Sequence, residues 1–277
     1  VSYEVPADST ILEAARYAGI DIPTLCYLKD VNQIGACRMC MVEVKGARSL
    51  VAACVYPVNE GMEVFTNTPK VQESRRMTLE LLLSVHEKKC LSCERSGNCE
   101  FQKLCNDMGI EEENRFEGAV PAGNKDFSTP YLERNNAKCI LCRRCVAACQ
   151  SQHVSVIGAN NRGFDTEIGC AFEKPLGDVA CVACGQCIVS CPFGAISDKG
   201  QIFQVIHAIT SGQRVIAAIA PAYAGQFGPK VTPEKLLSAI RMLGFDNVTE
   251  VAIGADFCTI DEAHDFVKKV PAEQPFM

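Results

Sequence analysis

Two runs, "CILCRRCVAAC" from Cys139 and "CVACGQCIVSCP" from Cys181, share the spacing CxxCxxCxxxC. No other feature restricts the possible folds of this chain as much. Counted from Cys139 to Cys181, the runs lie 42 positions apart and form an internal repeat. Two intervening residues let neighbouring thiolates converge on one metal or cluster, whereas a disulfide framework spreads its cysteines along the chain. The theme recurs at Cys37/Cys40 and Cys90/Cys93, and cysteine reaches 18 of 277 residues. This pattern reads as iron–sulfur ligation in preference to zinc or disulfides.

In a paired ferredoxin run the fourth cysteine serves the opposite cluster. One 4Fe-4S cluster is therefore expected on Cys139, Cys142, Cys145 and Cys191. A second is expected on Cys181, Cys184, Cys187 and Cys149. The crossed ligation would tie both halves into one module. Gln150 follows Cys149 where proline is usual, while Pro192 follows Cys191.

Cys26, Cys37, Cys40 and Cys54 form a separate set with gaps of ten, two and thirteen residues. Those gaps suit a zinc knot poorly. Gly35 and Ala36 are small enough to let backbone N–H groups approach sulfur. Set in a β-rich segment, the four cysteines resemble the plant-type 2Fe-2S ferredoxin domain in its variant with a longer first gap. Between this set and the paired runs lies "HEKKCLSCERSGNC". Imidazole is a competent iron ligand, so His86 with Cys90, Cys93 and Cys99 is read as a third 4Fe-4S site. Cys105 is the competing fourth ligand. Cys105, Cys170 and Cys258 lack CxxC partners and are expected to be buried small hydrophobes. His207 and His264 are read as helix-surface residues, and His153 as the start of a strand.

The fold class expected is α+β and multidomain. Residues 1–66 read as a plant-type 2Fe-2S β-grasp domain, with strands at "SYEV", "CMVEV", "LVAAC" and "MEVF" and a helix at "STILEAARYAG". Residues 67–130 form the His/Cys3 domain, opening with a helix capped by Thr68 with Pro69 at its first position. Residues 131–200 form the two-cluster ferredoxin domain. Residues 201–277 give an αβαβα pattern with strands apolar enough for burial on both faces, and Thr259 with Glu262 is expected to box the start of the last helix.

The formal net charge is -6, with no basic block. This argues against nucleic acid and against an anionic membrane surface. No secretory signal and no apolar run of membrane-spanning length is visible, so a reducing, cytoplasmic setting is expected. No GxGxxG follows a strand, which argues against direct nicotinamide binding. No flavin site is evident.

The order of modules resembles known oxidoreductases. The first two are similar to the large iron–sulfur subunit of respiratory complex I and to diaphorase subunits of NAD-linked hydrogenases. All four in this order resemble an iron-only (FeFe) hydrogenase of the modular clostridial type. The tail "VIAAIAPAYAGQFG" and "TPEKLLSAIRMLGFDNVTEVAIGADFCTIDEA" resembles the opening of that family's catalytic domain. The resemblance implies that Ala220 and Pro221 line the pocket of a di-iron H-cluster. After them the chain runs Ala222, Tyr223, Ala224, Gly225, a departure from many members that resembles a divergent subgroup. Both ends have the look of a cut chain. With no cysteine after Cys258, this chain alone is expected to be inactive, and the H-cluster is expected only in the complete protein. Electrons are expected from ferredoxin or another redox protein, and further oxidoreductase subunits can join. The competing functions are a non-catalytic electron-transfer subunit of an NAD-linked hydrogenase, formate dehydrogenase or complex I-like enzyme, and a sensor or structural iron–sulfur protein.

Overall fold

Thr10 opens the first helix. Its hydroxyl accepts the Glu13 N–H at 3.3 Å, and the Glu13 carboxylate accepts the Thr10 N–H at 2.8 Å, a reciprocal capping box. In this computed structural model, which describes residues 2–110, 115–117 and 124–270, that helix is α1 (Ile11–Tyr17). Ile11, Leu12 and Ala15 are its buried face. They pack on strand β1 (Met41–Val44), the centre of an antiparallel sheet with β2 (Val51–Ala52) and β3 (Val64–Phe65) in the order β2-β1-β3. "CMVEV", "LVAAC" and "MEVF" thus contain strands, while "SYEV" carries no strand pairing. Helix α2 (Pro69–Ser84) begins as expected, with the Thr68 hydroxyl accepting from Val71 N–H and Pro69 in the first turn. Arg75 on α2 is buried and donates to the Met41 carbonyl at 2.9 Å, which fixes the helix against β1.

After α3 (Glu100–Asp107), a second sheet runs β4 (Lys125–Asp126), β5 (Leu132–Asn135) and β8 (Ile196–Asp198), all antiparallel. Between β5 and β8 lie α4 (Arg144–Ser151), the hairpin β6 (Gly158–Asn160)/β7 (Glu167–Gly169) and α5 (Gln186–Ser190). The sequence repeat is also a backbone repeat. Leu141 and Ala183, 42 apart, are both left-handed at φ 57° and 54°; Arg143 and Gly185, also 42 apart, follow at 59° and 73°. Arg143 and Gly185 are the N-caps of the two helices that follow, α4 and α5. His153 is not a strand residue: it lies in a turn after α4 with φ 56°.

The chain divides into two compact units, Val1–Lys199 and Gly200–Met277. Inside the first, one buried cluster belongs to α1 and the β1 sheet, and another to the cysteine repeat. A third joins Leu25, Cys26, Met39, Leu79, Phe101, Ile140, Cys142 and Phe193. Residues from all three expected iron–sulfur domains therefore share one core.

The second unit contains α6 (Ile202–Thr210), β9 (Ile216–Ile219), α7 (Pro233–Met242), β10 (Asn247–Glu250) and α8 (Val251–Lys269). β9 and β10 pair in parallel, with Asn247 opposite Ile216, and α7 connects them. Two expectations fail here. β9 alternates between exposed and half-buried residues, because among the described residues only two strands pair and Ile216 is left exposed. The last helix begins at Val251, eight residues before Thr259; the Thr259 hydroxyl instead donates back to the Ala255 carbonyl at 2.8 Å in mid-helix.

Candidate iron–sulfur sites

Cys26 follows α1, Cys37 and Cys40 flank a tight loop leading into β1, and Cys54 follows β2; all four are buried. Arg38 within the loop is left-handed, φ 57°. The backbone N–H of Cys26 donates to Cys37 Sγ at 3.3 Å, and that of Cys37 donates to Cys26 Sγ at 3.5 Å. Hydrogen bonds from Cys37 and then Cys54 pull the Cys26 thiol far below its usual range, while the same contacts push Cys37 and Cys54 up. Four thiols with sulfurs this close suit a shared pair of cations better than four separate protons. The backbone donors supply the N–H···S bonds that tune such a centre.

The crossed set in the paired runs is also brought together. Cys139, Cys142, Cys145 and Cys191 line one cavity with Arg134, Ile140 and Phe193. Leu141 N–H donates to Cys139 Sγ at 3.3 Å. Burial pushes Cys139 up to about 11 and Cys142 up to about 12, and raises Cys145 well above the usual thiol range. In the companion set, burial pushes Cys187 up to about 11, and the neighbouring Cys181, Cys184 and Cys149 add to the rise. Cys149 and Cys187 lie in the same core on the packed helices α4 and α5, with Cys181 against it, while Cys184 is exposed. Thiols held protonated by burial ionise only when a cation replaces the proton, so loading these sites releases protons.

The third set is looser. Cys90 is exposed on a 3-10 turn (Cys90–Ser92), while Cys93 and Cys99 are half-buried. Cys99 caps α3, its sulfur accepting Gln102 N–H at 3.5 Å, and it feels both Cys93 and Cys90. His86 is buried just beyond α2, with Nδ1 lacking a hydrogen-bond partner among the described residues. Burial, then Lys138, pushes its imidazole down to about 4, so the ring is neutral near pH 7 and has a free lone pair to offer. Its ring meets Phe101 edge-on at 5.3 Å, in the first turn of the helix that Cys99 caps. Cys105 is buried on the same helix, and burial pushes it up to about 11.

Cys170 is fully buried, as expected of a small hydrophobe. Cys258 is not: it lies exposed on α8, its thiol donating to Glu262 at 3.4 Å. Ala220 and Pro221 follow β9 at an exposed 3-10 turn, near which the Tyr223 hydroxyl donates to Glu250 at 3.1 Å. His207 and His264 are exposed on helices.

Among the described residues, no three His, Cys, Asp or Glu side chains close on a point suited to a single metal ion. A multi-iron cluster is gripped from further out, and the cysteine-lined cavity with its N–H···S donors fits that larger body.

The polar residues between the sets escaped the sequence reading. Asn32 donates to the Cys26 carbonyl at 2.7 Å and to the Cys142 carbonyl at 3.0 Å. Arg144 donates to the Tyr27 carbonyl at 2.9 Å and to Glu100 at 3.3 Å. Arg95, between Cys93 and Cys99, donates to the Ile188 carbonyl beside Cys187 at 3.0 Å. Nothing in their sequence spacing singles them out. Arg144 and Arg95 have one sequence signal, their nearness to Cys145 and Cys93; Asn32 has none.

Similarity to known proteins places this chain in the class of iron–sulfur electron-transfer subunits of hydrogenases and NADH-type oxidoreductases. Residues 1–69 match a 2Fe-2S iron-sulfur cluster binding domain, and residues 75–114 the NADH-ubiquinone oxidoreductase-G iron-sulfur binding region. Residues 138–197 match a 4Fe-4S dicluster domain, and residues 213–277 the iron only hydrogenase large subunit, C-terminal domain. The NADP-reducing hydrogenase subunit HndD of Solidesulfovibrio fructosivorans is 40% identical over 96% of this chain and 48% of its own length. Iron hydrogenase 1 of Clostridium pasteurianum is 35% identical over 100% of this chain and 50% of its own. A chain in the crystal structure of an NAD+-reducing [NiFe]-hydrogenase in the H2-reduced state superposes with a TM-score of 0.68 at 31% identity, covering 72% of this chain and 85% of that one. The chain belongs to the family of iron–sulfur electron-transfer chains that these hydrogenases share with NADH-type oxidoreductases. It spans about half the length of the curated hydrogenases it matches. No helix among the described residues is long and apolar enough to cross a membrane.

Proposed function

We propose that this chain is the electron-transfer portion of an iron-only hydrogenase. In it, Cys26, Cys37, Cys40 and Cys54 hold a 2Fe-2S cluster. His86, Cys90, Cys93 and Cys99 hold a 4Fe-4S cluster, and the two crossed sets from the cysteine repeat hold one each. The observation that carries the reading is the succession of four matched regions in one chain, the last being the iron-only hydrogenase C-terminal domain. When bound, the clusters accept and pass single electrons. The protein's part is to hold them with buried thiolates and one neutral imidazole, to aim N–H groups at their sulfurs, and to keep water from the core shared by Cys26, Cys142 and Phe101.

In a hydrogenase of the relatives' length, Ala220 and Pro221 would form one wall of the H-cluster pocket. Proton reduction or hydrogen oxidation would take place there. This chain alone would be inactive, since fifteen of its cysteines would serve the electron-transfer sites and the remaining Cys105, Cys170 and Cys258 form no shared set. The electron donor or acceptor would be a ferredoxin or another redox protein docking near the 2Fe-2S or His86 cluster, in the cytoplasm, with no nucleic acid or membrane involved. A second reading, a non-catalytic subunit of an NAD-linked oxidoreductase, is favoured by the likeness to a chain from the NAD+-reducing [NiFe]-hydrogenase.

The test has two parts. Anaerobically reconstituted protein should carry about 14 irons per chain, the sum for one 2Fe-2S and three 4Fe-4S clusters. A stable value near 10 would remove one four-iron site. A reduced-viologen hydrogen assay should then find no activity in this chain. Activity is expected in a chain extended to the relatives' length and matured with the di-iron cofactor. An inactive matured extension favours the second reading.

A further inference from the structure

We propose that Asn32 is a positioning residue that couples the 2Fe-2S site to the Cys139/Cys142/Cys145/Cys191 site and sets the potentials of both. The inference rests on the ligand sets proposed above. Asn32 is 3% exposed, although no ligand set includes it. Its own backbone is already satisfied: its N–H donates to the Leu28 carbonyl at 2.8 Å, and its carbonyl accepts the Leu28 N–H at 2.9 Å. That closed turn, with Asp30 left-handed at φ 60°, presents the side chain inward. A carboxamide has two N–H donors. Here both are used: Nδ2 reaches the Cys26 carbonyl at 2.7 Å and the Cys142 carbonyl at 3.0 Å.

These two acceptors belong to ligand residues of different sites, 116 positions apart in the chain. One amide therefore spans two cysteine loops. It provides a continuous hydrogen-bonded path from one ligand residue to the other. Arg144 reinforces the same junction by donating to the Tyr27 carbonyl from beside Cys145. Both Asn32 donors point their positive ends toward the ligand loops. A buried positive dipole favours the more negative, reduced state of each centre, so Asn32 raises both potentials. A residue serving only general stability has no reason to act on these two centres and spare the others.

The experiment uses the whole chain, reconstituted anaerobically and followed by EPR-monitored redox titration, with iron counted. Cys142→Ser identifies the 4Fe-4S signal that belongs to this site. Asn32→Leu keeps the volume and removes both donors. It should move the midpoints of the 2Fe-2S centre and of the Cys142 centre downward together, leaving the other two centres at their wild-type midpoints. Asn32→Gln, which keeps an amide, should recover part of both shifts. If leucine blocks assembly, Asn32→Ser is read in the same way, and the disturbance should again be confined to the same pair. Unchanged midpoints in Asn32→Leu, an upward shift, a change at one centre alone, or an equal change at all four overturns the proposal. Wild-type protein that lacks either signal under full reconstitution instead overturns the ligand sets, and the two failures are thereby distinguished.

Discussion

Gly194 lies against the sulfur of Cys93. A Cβ at position 194 would stand 3.1 Å from Cys93 Sγ and 3.2 Å from the Arg95 side chain, and the backbone there is left-handed at φ 65°. The turn after Cys191 therefore closes on the middle cysteine set. Gly194→Ala should displace Cys93 and cost about 1–2 kcal/mol through the left-handed backbone alone. EPR of the reconstituted variant should show the His86 centre broadened or lost and the 2Fe-2S signal intact. A wild-type spectrum would show that the contact relaxes without reaching the metal site.

Arg144 joins three segments that each carry a proposed ligand: its own, Tyr27 beside Cys26, and Glu100 beside Cys99. Arg144→Met keeps much of the stem volume but leaves the buried Tyr27 carbonyl without its donor. The expected loss is about 1–3 kcal/mol, measurable by urea unfolding of the cluster-free chain. The Glu100 contact adds little, because that carboxylate is about half exposed. No change in the unfolding midpoint would count against Arg144 as a tie.

His86→Ala should lower the iron count by about 4 per chain, the content of one cluster. Iron analysis with Cys105→Ala alongside decides between the two candidate fourth ligands. A His86→Ala protein with full iron assigns the role to Cys105. The cluster-free chain gives a pH signature as well. Burial, helped by Lys138, holds the His86 imidazole down to about 4, below about 6.5 in the unfolded chain. Between those values the unfolded state binds more protons, so the contribution of His86 to stability is complete above about pH 6.5 and falls as pH drops toward 4. Relative to His86→Phe, wild type should lose stability across that window in urea titrations.

Arg143 occupies the left-handed position that its repeat partner Gly185 fills with glycine. The Cβ at 143 bears a cost that Gly185 avoids. Arg143→Gly should stabilise the cluster-free chain by about 0.5–1 kcal/mol, while Gly185→Arg should destabilise it by a similar amount. Thermal unfolding of both variants is the check. Opposite signs are the expected result.

Cys170→Ala and Cys258→Ser should keep the full iron content. Cys170 is fully buried, so its replacement should still cost stability through the small cavity left behind, whereas exposed Cys258 should tolerate serine at no measurable cost. Loss of iron from either variant would reveal a ligand missing from the proposed sets.

Much of this protein's local structure was legible in its sequence, because helix caps and repeated turns depend on residue type and short spacing. The CxxCxxCxxxC repeat carried its own backbone geometry, with left-handed residues at 141/183 and 143/185. Thr68 with Pro69 announced a helix start by local chemistry alone. Where a local signal competed with a longer pattern, it misled: Thr259 and Glu262 have the letters of a capping box, yet the backbone from Val251 onward was already helical and absorbed them. Similarly, apolar β9 reads as doubly buried, but burial depends on how many elements cover a strand, and among the described residues one strand pairs with it. Tertiary structure alone decided the junction. Asn32 reaches Cys142 across 110 positions and Arg144 reaches Tyr27 across 117. Such contacts satisfy buried carbonyls wherever the folded chain happens to place a donor, and neither periodicity nor motif spacing encodes that distance.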